Sequence, residues 1–152
     1  MIVLGLRCWP DKFAYVMLTG DSTDFDLTAK GVKRSPADLD RPGFLNWISK
    51  ELKAILKKFD VQVAAFKRFE PSAFKNKSTL NRAEVEGVAR AVLYENNCRD
   101  IETLIKSQIK AITKYSGSAK DVVEVLSTTK LNSELGDDTE EAALVAFARL
   151  LM

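Results

Sequence analysis

With 152 residues, 46% hydrophobic and 29% charged, the chain has the length and balance of one globular domain, which excludes wholesale disorder and fibrous repeats. Its 23 lysines and arginines against 21 acids leave a net charge of +2, too small to announce nucleic acid except through local clustering. The absence of histidine excludes imidazole catalysis and a Cys/His zinc site, and two cysteines, Cys8 and Cys98, are too few for a disulfide framework and read as reduced, buried thiols.

Residues 1–152 are expected to form a single domain. The chain opens on Ile2-Val3-Leu4-Gly5-Leu6 with no basic lead, and no apolar run approaches the ~18 residues of a membrane span, so a cytoplasmic protein without membrane contact is expected. Ile2 to Leu6, continuously apolar, predicts a strand buried on both faces. Trp9-Pro10-Asp11-Lys12 then reads as a hairpin turn into a second strand, Phe13 to Leu18. From Asp24 to Val32, Phe25, Leu27 and Ala29 alternate with Asp24, Asp26, Thr28 and Lys30, the period of a half-exposed third strand.

After a polar linker around Ser35 to Pro42, Leu45, Ile48, Leu52, Ile55, Leu56 and Phe59 recur at helical spacing. Val61 to Phe66, apolar except for Gln62, predicts a second buried strand, and the helix before it suits a crossover that makes it parallel to the first. A second helix is predicted over Asn81 to Tyr94, with Asn81 as cap, Glu84 as its capping-box partner, and Val85, Val88, Ala89 and Val92 as its buried stripe. Ile101 to Ile105 reads as a short strand and Ile109 with Ile112 as a helical segment before the Ser116-Gly117 break. Ser118 and Asp121 cap a further helix carrying Val122, Val125 and Leu126. The last helix starts near Asp138, and its stretch Ala142 to Ala148 is apolar nearly all round, which predicts packing against the sheet.

This element order, with Gly5-Leu6 closing strand one, Gly87-Val88-Ala89, Ser107-Gln108-Ile109-Lys110, Gly117-Ser118-Ala119-Lys120 and Asp138 three before Glu141, resembles the RuvC-type Holliday-junction resolvases of the RNase H-like superfamily. The chain is also similar to small uncharacterised bacterial proteins of that fold. The resemblance implies an α/β fold: a five-stranded mixed sheet, three antiparallel strands then two parallel, flanked by helices. It further implies two divalent ions held by carboxylates at the ends of strands one and four and on the last helix, because hard cations close together need anionic oxygen ligands.

At those positions this chain has Arg7, Lys67, Asp138 and Glu141. Two of the four have reversed sign, so the expectation is a degenerate member with no metal, no cofactor and no catalytic residues of the family kind. Arg7 and Lys67 are expected to face Asp138 and Glu141 as a salt-bridge cluster, while Asp138 and Glu141 also read simply as a capping box. The alternative is an active nuclease with a rearranged acidic set drawn from Asp11, Glu70, Asp137 and Glu140.

The segment from Lys67 to Arg82 carries Lys67, Arg68, Lys75, Lys77 and Arg82 against Glu70 alone, with Phe69 and Phe74 interleaved. Cations beside rings are the ingredients of nucleic-acid contact, with branched or single-stranded nucleic acid as the candidate partner; equally, the phenylalanines fit a core role. Lys50, Lys53, Lys57 and Lys58 read as a solvated helix face. The competing hypothesis is a protein-interaction or structural subunit, a homodimer or a part of a larger assembly, with no nucleic-acid binding.

Overall fold

A computed structural model describes residues 1–70, 76–114 and 135–152. Strands β1 (Ile2–Cys8), β2 (Lys12–Gly20) and β3 (Phe25–Arg34) open the chain. Helix α1 (Arg41–Leu56), strand β4 (Val63–Lys67), helix α2 (Lys77–Glu95), strand β5 (Asp100–Leu104) and helices α3 (Lys106–Thr113) and α4 (Asp137–Leu150) follow. The sheet order is β3-β2-β1-β4-β5, with β1 antiparallel to β2 and parallel to β4, β2 antiparallel to β3, and β4 parallel to β5. The five-stranded mixed sheet implied by the resemblance is therefore present. The helix read over Ser118 to Leu126 lies outside the described residues.

Alternation of side chains along the strands divides the core into two layers. Val3, Ala14, Val16, Leu18, Val63 and Ala65 pack with Ala142, Ala143, Val145 and Ala146 of α4. Leu4, Leu6, Cys8, Phe13, Met17, Ala64 and Phe66 pack on the other side with Ile48 and Leu52 of α1 and Val85, Ala89 and Leu93 of α2. β1 has no solvated face because it is covered by helices on both sides, as its unbroken apolar run requires.

Three local readings need correction. In β3, Leu27 pairs with Leu18 but Ala29 pairs with Met17, so Thr28 is an extra residue in a bulge and Ala29 crosses to the α1 side instead of continuing the face of Phe25 and Leu27. Helix α2 begins a full turn before Asn81: Asn76 is its cap, accepting from Thr79 N at 2.8 Å and Thr79 Oγ1 at 2.9 Å. Helix α4 is not capped by Asp138 and Glu141; Gly136 precedes its first turn, and Thr139 Oγ1 accepts from Gly136 N at 3.1 Å. Asp138 and Glu141 are thereby left for long-range partners.

Both cysteines are free and buried, as expected. Burial, reinforced by the nearby Glu86 charge, pushes the Cys8 thiol up to about 12, and burial pushes Cys98 up to about 11, so neither is a poised thiolate. Among the described residues no helix is long and apolar enough to cross a membrane.

Candidate functional site

Arg7 and Lys67 are lateral neighbours at the ends of the parallel strands β1 and β4. Both share the odd-numbered face of Val3, Ala65 and the α4 helix, so side-chain parity points each toward α4. Arg7 meets that expectation and forms an ion pair through Nε with Glu141 Oε2. Asp138, one helical turn earlier, does not meet Lys67. Its Oδ2 is shared by Lys12 Nζ at 3.1 Å, from the start of β2, and Arg34 Nη2 at 2.7 Å, from the end of β3. Lys12 and Arg34 are register partners, and Arg7 and Lys12 both lie over the Trp9 ring, 4.7 and 4.6 Å from its centroid.

Lys67 is the member that leaves the expected cluster. The chain after β4 turns back, and Lys67 Nζ donates to Arg68 O at 2.8 Å and to Glu70 Oε1 at 3.1 Å. A local partner three residues away satisfies the buried ammonium before α4 can reach it. Glu70 Oε1 also accepts from Lys106 N at 3.1 Å at the head of α3. Partial burial raises the Glu70 carboxyl, but the Lys106 and Lys67 hydrogen bonds and charges outweigh it and hold the group below its ordinary value.

The basic segment is divided between surface and interior. Arg68 and Lys77 are exposed, but Lys67, Phe69 and Arg82 are buried. Arg82 Nη2 donates to Lys67 O at 2.6 Å and its Nε to Glu86 Oε1 at 3.3 Å, while Phe69 lies under the Arg68 and Arg82 guanidinium groups. Phe69 and Arg82 therefore join α2 to the end of β4 instead of facing solvent. Burial, helped by the Arg7 charge, pulls Arg82 below its usual value, and burial pushes the Glu86 carboxyl up despite Arg82 and Arg90 beside it. Phe74 and Lys75 lie outside the described residues. Lys50, Lys57 and Lys58 are exposed on α1, while Lys53 pairs with Glu95 of α2.

Lys12, Arg34 and Trp9 were not singled out from the sequence, although they complete the site. Counting from the sheet edge, the same end of every strand carries a cation: Arg34 on β3, Lys12 on β2, Arg7 on β1, Lys67 on β4, and Lys106 just after β5. Among the described residues no group of three or more Cys, Asp or Glu is placed to hold a metal ion.

No family model matches the sequence, and no curated protein matches it either. Solved structures do match. Thermus thermophilus RuvC, in complex with a Holliday-junction substrate, superposes with a TM-score of 0.83 over 99% of this chain and 93% of that one, at 12% identity. The fold is that of the RuvC-type resolvases. The yeast mitochondrial Holliday-junction resolvase gives a TM-score of 0.69 at 18% identity, covering 98% of this chain and 77% of that one. The fowlpox virus resolvase, bound to Holliday-junction DNA, gives 0.63 at 12% identity, covering 97% of each. The RuvC-type frame implies a pair of divalent ions at the ends of β1 and β4, and the residues present there do not fit them. Arg7 and Lys67 at those strand ends are cationic, and Asp138 and Glu141 of α4 are already engaged by Arg7, Lys12 and Arg34.

Proposed function

We propose that residues 1–152 act as one cytoplasmic domain that binds nucleic acid on a RuvC-type frame and lacks metal-dependent nuclease activity of the family kind. The observation that carries this reading is a set of ion pairs where the family resemblance implies a metal site. Glu141 is neutralised by Arg7, and Asp138 by Lys12 and Arg34, in a place where hydrolysis would need free anionic oxygens. Cations at the strand ends, of which Arg34 and Lys106 are exposed, together with exposed Arg68 and Lys77, support contact with a phosphate backbone. Two of the matching resolvases are complexed with junction DNA, which supports branched DNA as the first substrate to try. The two free thiols suit a reducing compartment.

Filter binding of four-way, duplex and single-stranded DNA and RNA at two salt concentrations tests the proposal. Binding should need no divalent ion and should weaken with salt, with a log–log slope of about −0.9 for each phosphate neutralised on duplex DNA. Incubation with Mg²⁺ or Mn²⁺ should leave every substrate intact. Metal-dependent cleavage would overturn the proposal in favour of an active nuclease with a rearranged acidic set.

The second reading, an interaction subunit, is favoured by the outer face of α2. Leu80, Ala83, Gly87, Ala91 and Tyr94 are all exposed and recur at helical spacing, and Leu80 and Tyr94 are 59% and 61% accessible. This reading predicts a homodimer or a partner seated on α2. In sedimentation, a concentration-dependent dimer that Leu80→Lys dissociates, together with no salt-sensitive nucleic-acid binding, would favour it over the first.

A further inference from the structure

The cations at the strand ends are not equivalent. Arg7 is largely enclosed: its Nε and Nη1 are both buried without a hydrogen bond among the described residues, although Nε forms an ion pair with Glu141. Lys12 is nearly enclosed at 14% accessibility, but Arg34 is 64% accessible and Asp138 and Glu141 are each 33% accessible. The carboxylates are thus more open to solvent than Arg7 and Lys12, and less open than Arg34. A pair this open is screened by water and exchanges readily with another anion. Arg7 and Lys12 are the more constrained cations, rooted on paired strands and packed on the Trp9 ring.

We infer that these strand ends form a metal-free seat for a phosphodiester group, closed in the free protein by the chain's own Asp138 and Glu141 carboxylates. This rests on the nucleic-acid reading and specifies how it operates. A phosphodiester carries one negative charge and presents acceptor oxygens that Arg7, Lys12 and Arg34 can bond. It would take the place of the Asp138 carboxylate against Lys12 and Arg34, beside the Arg7 guanidinium that shares the Trp9 ring with Lys12. The acids are then competitors of the ligand. In a working metal site they would be its indirect ligands, so the two arrangements predict opposite signs for one substitution.

The test is the affinity of Asp138→Asn, measured without divalent ions on single-stranded and four-way DNA and on RNA of the same sequence. Asparagine keeps the shape and removes the competing charge, so binding should tighten by about three- to tenfold, the effect of one partly screened charge at contact distance. Arg34→Gln introduced with Asp138→Asn should cancel the gain. Trp9 supplies a local readout: in a Trp47→Phe background its emission should change as the oligonucleotide saturates, because Arg7 and Lys12 lie against its ring. The DNA and RNA arms show which backbone the seat takes. Equal binding by the native chain and Asp138→Asn, or weaker binding by the variant, would overturn the seat while leaving nucleic-acid binding in place. Absence of binding by both at low salt would overturn the functional reading and the seat with it.

Discussion

Gly5→Ala should lower stability by about 3 kcal/mol, the upper end of what overpacking a well-filled core costs. A β-carbon at Gly5 would fall within van der Waals contact of the Ala142 carbonyl oxygen and 2.8 Å from Ala146 Cβ. Both obstacles belong to α4, and the nearer one is backbone, so no side-chain rotation relieves the clash. Helix α4 must lift from β1, and with it would open the layer made by Val3, Ala65, Ala143 and Val145. Glu141 is the residue before Ala142, so the same displacement pulls it from Arg7 and opens the strand-end site. Gly87→Ala is the matched control: nothing lies within 4 Å of a β-carbon there, and alanine in a helix interior is worth up to about 1 kcal/mol over glycine. Urea unfolding of both variants checks this. A Gly5→Ala midpoint equal to the native one would mean that α4 does not ride on the β1 backbone.

The close approach of α4 to β1 illustrates what could be read in advance. The unbroken apolar runs of β1 and β4 and the all-round apolar surface of Ala142 to Ala148 can only be satisfied by a sheet covered on both sides, and the element order then leaves few topologies. The family resemblance put Arg7 opposite Glu141, and side-chain parity along β1 is the physical reason that it holds. Where prediction failed, a single residue or a flexible chain decided. The bulge at Thr28 leaves the alternation of its neighbours intact as a pattern while reversing the face of Ala29. The start of α2 reads from the sequence as Asn81, one turn late, because Asn81 with Glu84 has the spacing of a capping box. Asn76 prevails with Thr79 as its partner, and the Asn81 carbonyl becomes an acceptor for Arg41 Nη2 at 2.6 Å. Lys67 has a four-carbon stem and chose the nearby Glu70, which the strand register does not govern. Lys12 and Arg34 became site residues only through the alignment of three strand ends, a long-range property absent from any local motif. Counting charges from Lys67 to Arg82 could not tell exposed Arg68 and Lys77 from buried Arg82, because burial depends on what packs above.

The buried Arg82 is the second position where a large effect is expected. Arg82→Ala should cost about 3 kcal/mol, since removing one partner of an enclosed pair strands the other. Glu86 is only 3% accessible and would retain Arg90 Nη2, at 3.7 Å, as its remaining cation, which places the loss at the lower end of the range for such pairs. The Lys67 carbonyl would lose its donor as well. The deficit should depend on pH with a definite sign. Burial already raises the folded-state Glu86 carboxyl above its ordinary value, and loss of Arg82 raises it further. A carboxyl raised in the fold favours the folded state while protonated and disfavours it as pH rises through the shifted value, so Arg82→Ala should lie closer to the native chain at pH about 5 than at about 8. Replacing both partners by apolar residues, Arg82→Met with Glu86→Leu, should recover much of the loss and flatten the pH dependence, because no buried charge is then left unpaired. Urea midpoints of the single and double variants at both pH values decide the matter. A single variant equally destabilised at both would mean that Glu86 keeps its charge by other means, and that Arg82 stabilises the junction of α2 with β4 through the Lys67 carbonyl alone.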